Sequence, residues 1–138
     1  MSEYIKKTVE FSDEDLLVEA LGETWGRGGA PVPVERHAEP TGLYGYHGDL
    51  RPEKAHIIVR RASIGAAAND VGYLRTGAGQ YVEVVSQNER GWARDKLLAV
   101  KRLYGEKIAL KAAKSRGWKK LVSRTVEADG RVVLRLGR

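Results

Sequence analysis

The chain contains no cysteine and one methionine, and aromatic residues make up only 7% of its 138 residues. Without cysteine there can be no disulfide framework, no thiolate-bound zinc or iron–sulfur cluster, and no thiol nucleophile. No apolar run reaches the roughly 18 residues that a membrane-spanning helix needs. Residues 1–11 also lack the apolar core of a signal peptide, so we expect a cytoplasmic protein with no membrane partner.

The remaining composition is that of an ordinary globular domain, with 42% hydrophobic and 30% charged residues. A chain of this length can bury a core without covalent or metal cross-links, so we predict one domain over residues 1–138. Its net charge of +6 is unevenly distributed, since residues 1–88 carry −4 and residues 89–138 carry +10. This asymmetry favours a basic surface facing nucleic acid, an anionic membrane or an acidic protein. The alternative is a solvated charged face with no partner.

Alternating apolar residues and turn signals indicate several strands in the first two thirds of the chain. They are predicted over residues 4–11, 54–61, 71–74 and 80–85, with a short strand or turn over residues 42–48. A helix follows the first strand, with Ser12 as its N-cap and Leu17 and Leu21 on its apolar face. Residues 26–41 are rich in Gly and Pro and are predicted to form the longest loop.

A long helix is predicted over residues 89–116, because apolar side chains recur there at helical spacing. Its buried face comprises Ala93, Leu97, Val100, Tyr104 and Ile108. Gly117 is expected to end the helix, and residues 119–127 and 131–136 to form a terminal hairpin. The resulting order β-α-β-β-β-α-β-β predicts an α+β two-layer sandwich, a mainly antiparallel sheet with two helices on one face.

No catalytic residue, metal site or cofactor is predicted. The histidines do not have metal-ligand spacing, and a site built from His37, His47 and Asp49 is disfavoured for that reason. His56 begins an apolar strand and is interpreted as structural. Ser63 and Ser86 lack the flanking glycines of a nucleophile elbow. We therefore expect a protein that is not an enzyme.

Basic residues near aromatic ones are the positive functional signal, since cations bind phosphates and exposed rings stack on bases. The candidate nucleic-acid-binding residues are Arg94, Lys96, Lys101, Lys107, Lys114, Lys119 and Lys120. Tyr44 and Tyr46 flank a glycine and are candidates for surface exposure. For Trp92 and Trp118 we favour a role as core anchors at the two ends of the long helix, with base stacking as the alternative.

Three segments together resemble a known family. They are residues 42–61 (GLYGYHGDLRPEKAHIIVRR), residues 70–85 (DVGYLRTGAGQYVEVV), and the long helix with its Arg-Gly-Trp end and closing Glu-Ala-Asp-Gly turn. In order and spacing they are similar to the family of hypothetical chloroplast reading frame thirty-five, found also in cyanobacteria, other prokaryotes and phages. The chain departs from that pattern at its opening residues and at residues 26–36. The resemblance supports the order of elements and implies no catalytic residues.

These observations lead to a ranked expectation. The first is a non-enzymatic binding module of a larger assembly that contacts RNA or a ribonucleoprotein through its C-terminal half. The second is a protein adaptor, which would depend on exposed apolar patches and the 26–41 loop. Members of the similar family are encoded near AAA-type ATPases, and the resemblance therefore implies an adaptor beside such an ATPase. The third is an enzyme of unknown class using His47 or His56 with a nearby acid.

Overall fold

The computed structural model describes residues 4–9, 11–77, 80–115, 117, 120–126 and 132–137. Its elements, in chain order, are β1 (Tyr4–Val9), α1 (Glu14–Thr24), β2 (Glu35–Tyr44), β3 (Leu50–Val59), α2 (Arg61–Ile64), β4 (Val71–Arg75), β5 (Tyr81–Ser86), α3 (Gln87–Trp92), α4 (Arg94–Ser115), β6 (Lys120–Val126) and β7 (Val132–Gly137). The fold is α+β, as the sequence predicts.

Among the described residues, five strands form an antiparallel sheet in the order β1-β5-β4-β3-β2, and β6 pairs with β7 in a separate antiparallel hairpin. Strands β2 to β5 form a meander in which each strand pairs with the next, and β5 also pairs with β1. Because β1 and β2 lie at opposite edges, α1 must cross the sheet to connect them. The predicted strands over residues 54–61, 71–74 and 80–85 are confirmed as β3, β4 and β5.

The main core lies between the sheet and the helices α1 and α4. The predicted buried face of α4 is confirmed, since Leu97, Val100 and Tyr104 are at most 6% exposed and belong to this core. The ring of Phe11 packs edge-on against Tyr104, with centroids 4.6 Å apart. A smaller cluster on the opposite face of the sheet contains Ile58, because successive side chains of a strand point to opposite faces.

The predicted loop over residues 26–41 is wrong from residue 35 onward, where strand β2 begins. The strand was missed because Pro40 and several charged residues in β2 have low strand propensity. An edge strand tolerates both, since one row of its backbone groups needs no partner. The pairing with β3 shifts register between Arg36 and Thr41, which accommodates the proline. The remaining irregular segment is tied to α1, since Val32 N donates to Gly22 O at 3.0 Å.

Two helix boundaries also differ from the prediction. Asp13, not Ser12, caps α1: its side chain accepts a hydrogen bond from Leu16 N at 3.1 Å. The long helix is divided into α3 and α4 at Ala93, whose backbone leaves the helical conformation (φ −101°, ψ 16°). Gly117, with φ at 83°, follows the end of α4 as predicted. The turn expected at residues 129–130 lies outside the described residues.

Candidate nucleic-acid interface

Helix α4 uses several of its lysines to hold α1. Lys107 Nζ lies 3.0 Å from Glu23 Oε1 and 3.6 Å from a carboxylate oxygen of Glu19. Lys111 Nζ lies 2.5 Å from Asp13 Oδ2. Lys96 Nζ donates to the carbonyl oxygen of Thr24 at 3.1 Å, at the end of α1 where helix carbonyls lack helical partners.

These contacts mean that part of the basic charge of the C-terminal half is neutralised inside the molecule. The hydrogen bond from Lys111 lowers the pKa of Asp13 below its ordinary value, and the same contact raises the pKa of Lys111. Of the predicted RNA-contacting residues, Lys96 and Lys107 could bind a phosphate only by leaving their positions on α1. At 100° per residue Lys96 and Lys107 lie about 20° apart around the helix, on the side that contacts α1.

Four other cations of α4 make no hydrogen bond or ion pair with α1 among the described residues, although Lys114 lines an opening beside Leu16 and Glu19 of α1. Arg94, Lys101, Arg102 and Lys114 form no ion pair with any carboxylate that the structure describes. At 100° per residue, Arg94, Leu98, Lys101 and Arg102 fall within an arc of about 100°. We call these four residues the outer face of α4. Leu98 is 43% exposed and adds an apolar contact to three cations.

A cleft of about 290 Å³ opens beside this face. Its lining residues are Thr24, Lys96, Ala99, Arg102 and Leu103. Arg102 and Lys96 therefore line one opening, although only Arg102 is without a described partner. Arg102 was not among the predicted residues, and its helical position, four residues after Leu98 and eight after Arg94, is the signal that would have found it.

Trp92 is exposed, contrary to the favoured interpretation of it as a core anchor. Its relative exposure is 58%, whereas the adjacent Ala93 is 2% exposed. The interpretation of Trp92 as a core anchor assumed one continuous helix over residues 89–116. Helix α3 ends at Trp92 and α4 begins at Arg94. The direction of the Trp92 side chain therefore cannot be extrapolated from the 100° spacing of α4. Trp118 lies outside the described residues.

A buried polar network fixes α3. Ser86 caps this helix, its Oγ accepting from Asn88 N at 3.2 Å. Glu89 is fully buried, and its carboxylate accepts from Asn69 N at 2.8 Å, from Asn69 Nδ2 at 3.0 Å and from the Ser86 hydroxyl. A buried carboxylate is stable only when it is hydrogen-bonded in this way. The network therefore holds the short helix, and the backbone of Trp92 with it, in one position.

The same network continues into the turn between β2 and β3. Asn69 Oδ1 accepts from Tyr46 N at 2.9 Å, and the buried carboxylate of Asp70 accepts from Tyr44 N at 2.7 Å. Arg60 donates to Asp70 and, through two nitrogens, to Glu35, whose pKa is lowered by these bonds. Tyr44 is 41% exposed, as the sequence suggested, and the Arg60 guanidinium lies 5.4 Å from its ring centroid.

Three of the residues considered for catalysis or metal binding make structural contacts. His56 is 7% exposed, and its Nδ1 accepts from Arg75 N at 2.9 Å, which confirms the structural interpretation. Burial lowers its pKa, and the nearby Arg75 adds to that effect. His37 Nε2 lies 2.8 Å from Glu35 Oε1, and Ser86 is a helix cap. Within the described ranges, no three His, Cys, Asp or Glu side chains are grouped as metal ligands.

Two of the predicted site residues cannot be placed by their side chains. Lys119 lies outside the described residues, and Lys120 is the first residue of β6. Arg94, Lys101 and Lys114 stay candidates, because each lies on α4 without a described carboxylate partner. None of the described helices is long and apolar enough to cross a bilayer.

We compared the chain with protein-family models, with curated proteins and with solved structures, and nothing in any of the three sets matches it. The functional proposal therefore depends on the geometry of the described residues.

Proposed function

We propose that the protein is a non-enzymatic binding module that contacts RNA or a ribonucleoprotein through the outer face of α4. The division of the α4 cations carries the proposal. Lys96, Lys107 and Lys111 are held by α1, whereas Arg94, Lys101 and Arg102 have no described carboxylate partner. A structural role thus accounts for the first group and leaves the second available for phosphate.

The chemistry of the outer face supports a polyanion as the ligand. Two of its cations are arginines, which bind phosphate through a planar fork of donors and are less strongly hydrated than lysine. The rise of 1.5 Å per residue separates Arg94 from Lys101 by about 10 Å along the helix, so both can contact one short segment of backbone. The exposed side chain of Leu98, which lies between these two cations, can contact a sugar or a base.

The test is RNA binding by fluorescence anisotropy over a range of salt concentrations. We expect the logarithm of the association constant to fall linearly with the logarithm of salt concentration, with a slope of about −0.7 for each phosphate contact to a single strand. Arg94→Glu with Lys101→Glu should weaken binding by roughly tenfold or more and reduce the magnitude of the slope by about 1.4, since two phosphate contacts are lost. The matched control, Arg27→Glu with Lys54→Glu, makes the same change in net charge at exposed positions outside α4.

Equal losses in the two double variants would mean that net charge alone attracts RNA, and would contradict an interface on α4. Absence of RNA binding by the wild-type protein at low salt would reject the proposal. In cells, RNA that co-purifies with the protein and is removed by nuclease would support it.

A protein adaptor is the second candidate, favoured by one observation. On either side of the turn between β2 and β3, Leu50 is 66% exposed and Tyr44 is 41% exposed, and buried Asp70 and Asn69 accept hydrogen bonds from Tyr44 N and Tyr46 N. Rigidly held aromatic and aliphatic side chains are typical of protein-binding surfaces. A partner that survives nuclease and moderate salt, and is lost in Tyr44→Ala with Leu50→Ala but retained in Arg94→Glu with Lys101→Glu, would favour the adaptor.

A further inference from the structure

The exposure of Trp92 requires an explanation beyond the charge of α4. Tryptophan is the largest side chain and is usually well buried, since it gains more than most from leaving water. Trp92 is nevertheless 58% exposed, next to a residue that is almost completely buried. Its nearest neighbour on the outer face of α4, Arg94, is two residues away.

The segment that carries Trp92 is not a loose end. Helix α3 begins at a serine cap and contains the fully buried Glu89, three residues before Trp92. Glu89 is bound by Asn69 and Ser86, so the backbone beneath Trp92 is fixed to the start of β4 and the end of β5. The chain after it is also fixed, because Ala93 is buried and accepts a hydrogen bond from Leu97 N at 3.0 Å. A rigidly mounted exposed ring loses little conformational freedom on binding, which favours its use as a contact.

The Trp92 ring and the cations of the outer face of α4 suit a single strand better than a duplex. A single strand presents the faces of its bases, and an aromatic ring beside a cationic track can stack on a base while the cations bind phosphates. In a duplex the bases are already stacked and paired. A ring on a convex helix could reach a base face only after that stack is opened, at a cost of a few kcal/mol. Double-stranded RNA is read instead through sugars and phosphates across its shallow groove.

We propose that the ligand of the outer face of α4 is single-stranded RNA and that Trp92 stacks on one of its bases. This inference depends on the proposed function. It specifies that the RNA is single-stranded and that Trp92 contacts a base. Recognition is tolerant of sequence, because every base offers a ring face. Arg94, Lys101 and Arg102 bind phosphates of the strand where it continues from that base along α4.

The experiment uses the full chain with a mixed-sequence single-stranded RNA of 12 nucleotides and the same sequence as a blunt duplex. We expect the single strand to bind at least roughly tenfold more tightly than the duplex. Trp92→Ala should weaken single-strand binding by about 5- to 150-fold, the range for loss of one stacked base, and should not change duplex binding. Trp92→Phe should restore most of the affinity, because it keeps an aromatic face.

Leu98→Ala is the matched control, since it removes an exposed apolar side chain from the outer face of α4 without removing a ring. Tryptophan fluorescence should be quenched on addition of single-stranded RNA to the wild-type protein, and this quenching should be much reduced in Trp92→Phe. Both substitutions are at exposed positions, so an unchanged melting temperature confirms that the variants are folded.

The outcomes separate the two proposals. If RNA binds but the duplex binds as well as the single strand, or Trp92→Ala binds as tightly as wild type, the stacking inference is overturned and the proposed function stands. If Leu98→Ala loses as much affinity as Trp92→Ala, the contact is apolar burial and not stacking, which also overturns it. If neither form of RNA binds at low salt, the proposed function is overturned and the inference with it.

Discussion

The buried carboxylate of Asp70 joins two arginines that follow one another in the sequence. Its Oδ2 accepts from the Arg60 guanidinium at 2.8 Å, and its Oδ1 accepts from the backbone N of Arg61 at 2.7 Å. It also binds Tyr44 N. Asp70 thereby ties the end of β3, the end of β2 and the start of β4 at one end of the sheet. Because the side chain is fully buried, all of these bonds form away from water.

We predict that Asp70→Asn lowers the free energy of unfolding by about 3 kcal/mol or more. The amide nitrogen of asparagine cannot accept a hydrogen bond, so it would face the donors of Arg60 or Tyr44 and leave them unpaired. The measurement is chemical denaturation followed by circular dichroism. Glu39→Gln, an equivalent change at an exposed position of β2, is the control and should leave stability near that of the wild type. Equal stability of the two variants would show that the Asp70 contacts are dispensable.

Two tyrosines in the main core should respond oppositely to removal of the hydroxyl group. The Tyr104 hydroxyl accepts from Ser12 N at 2.7 Å and from Asp13 N at 2.9 Å, just before α1. Tyr104→Phe should therefore lower the free energy of unfolding by about 1–3 kcal/mol. The Tyr73 hydroxyl is buried without a hydrogen-bond partner among the described residues, so Tyr73→Phe should raise stability by about 1 kcal/mol. Thermal and denaturant unfolding of both variants test this, and a loss of stability in Tyr73→Phe would contradict it.

Stability should fall as the pH decreases below about 6.5, through His56. Burial lowers the pKa of His56 in the folded protein, with Arg75 adding to this and Glu39 and Glu14 opposing it. The unfolded chain, with an ordinary histidine pKa of about 6.5, then binds the proton more readily, and protonation favours unfolding. His56→Asn keeps an acceptor for Arg75 N and should remove this pH dependence. Free energies of unfolding at pH 7.5 and 5.5 provide the measurement, with exposed His47→Asn expected to behave as the wild type.

The contact between Lys107 and Glu23 is predicted to be structural. Lys107→Glu places like charges together and should lower stability by about 0.5–1 kcal/mol, while the added Glu23→Lys should restore most of the loss. Lys107→Ala should leave RNA affinity close to that of the wild type, in contrast to the substitutions at Arg94 and Lys101. A large loss of RNA affinity in Lys107→Ala would show that this lysine leaves α1 to bind the ligand.

Several features followed from the sequence because they depend on local pattern. The helical spacing of Leu97, Val100 and Tyr104 specified a buried face, and the β-branched run of β3 specified a buried strand. The absence of cysteine and of long apolar runs depends on composition alone. Such features need no knowledge of what lies opposite in the folded chain. The same holds for the charge of the C-terminal half, which is a property of the residues and not of their arrangement.

The tertiary structure decided everything that depends on a partner distant in sequence. Strand β2 exists because β3 pairs with it, despite Pro40 and its charges. Lys107 faces the acids of α1, and Trp92 faces outward, because of how α4 is positioned and where Ala93 breaks the helix. The roles of Asn69 and Glu89, 20 residues apart, appear only when folding removes both from water and each becomes the other's partner. Local propensity amounts to tenths of a kcal/mol per residue, whereas a buried, unpaired polar group costs several times more, so the long-range contacts decide these positions.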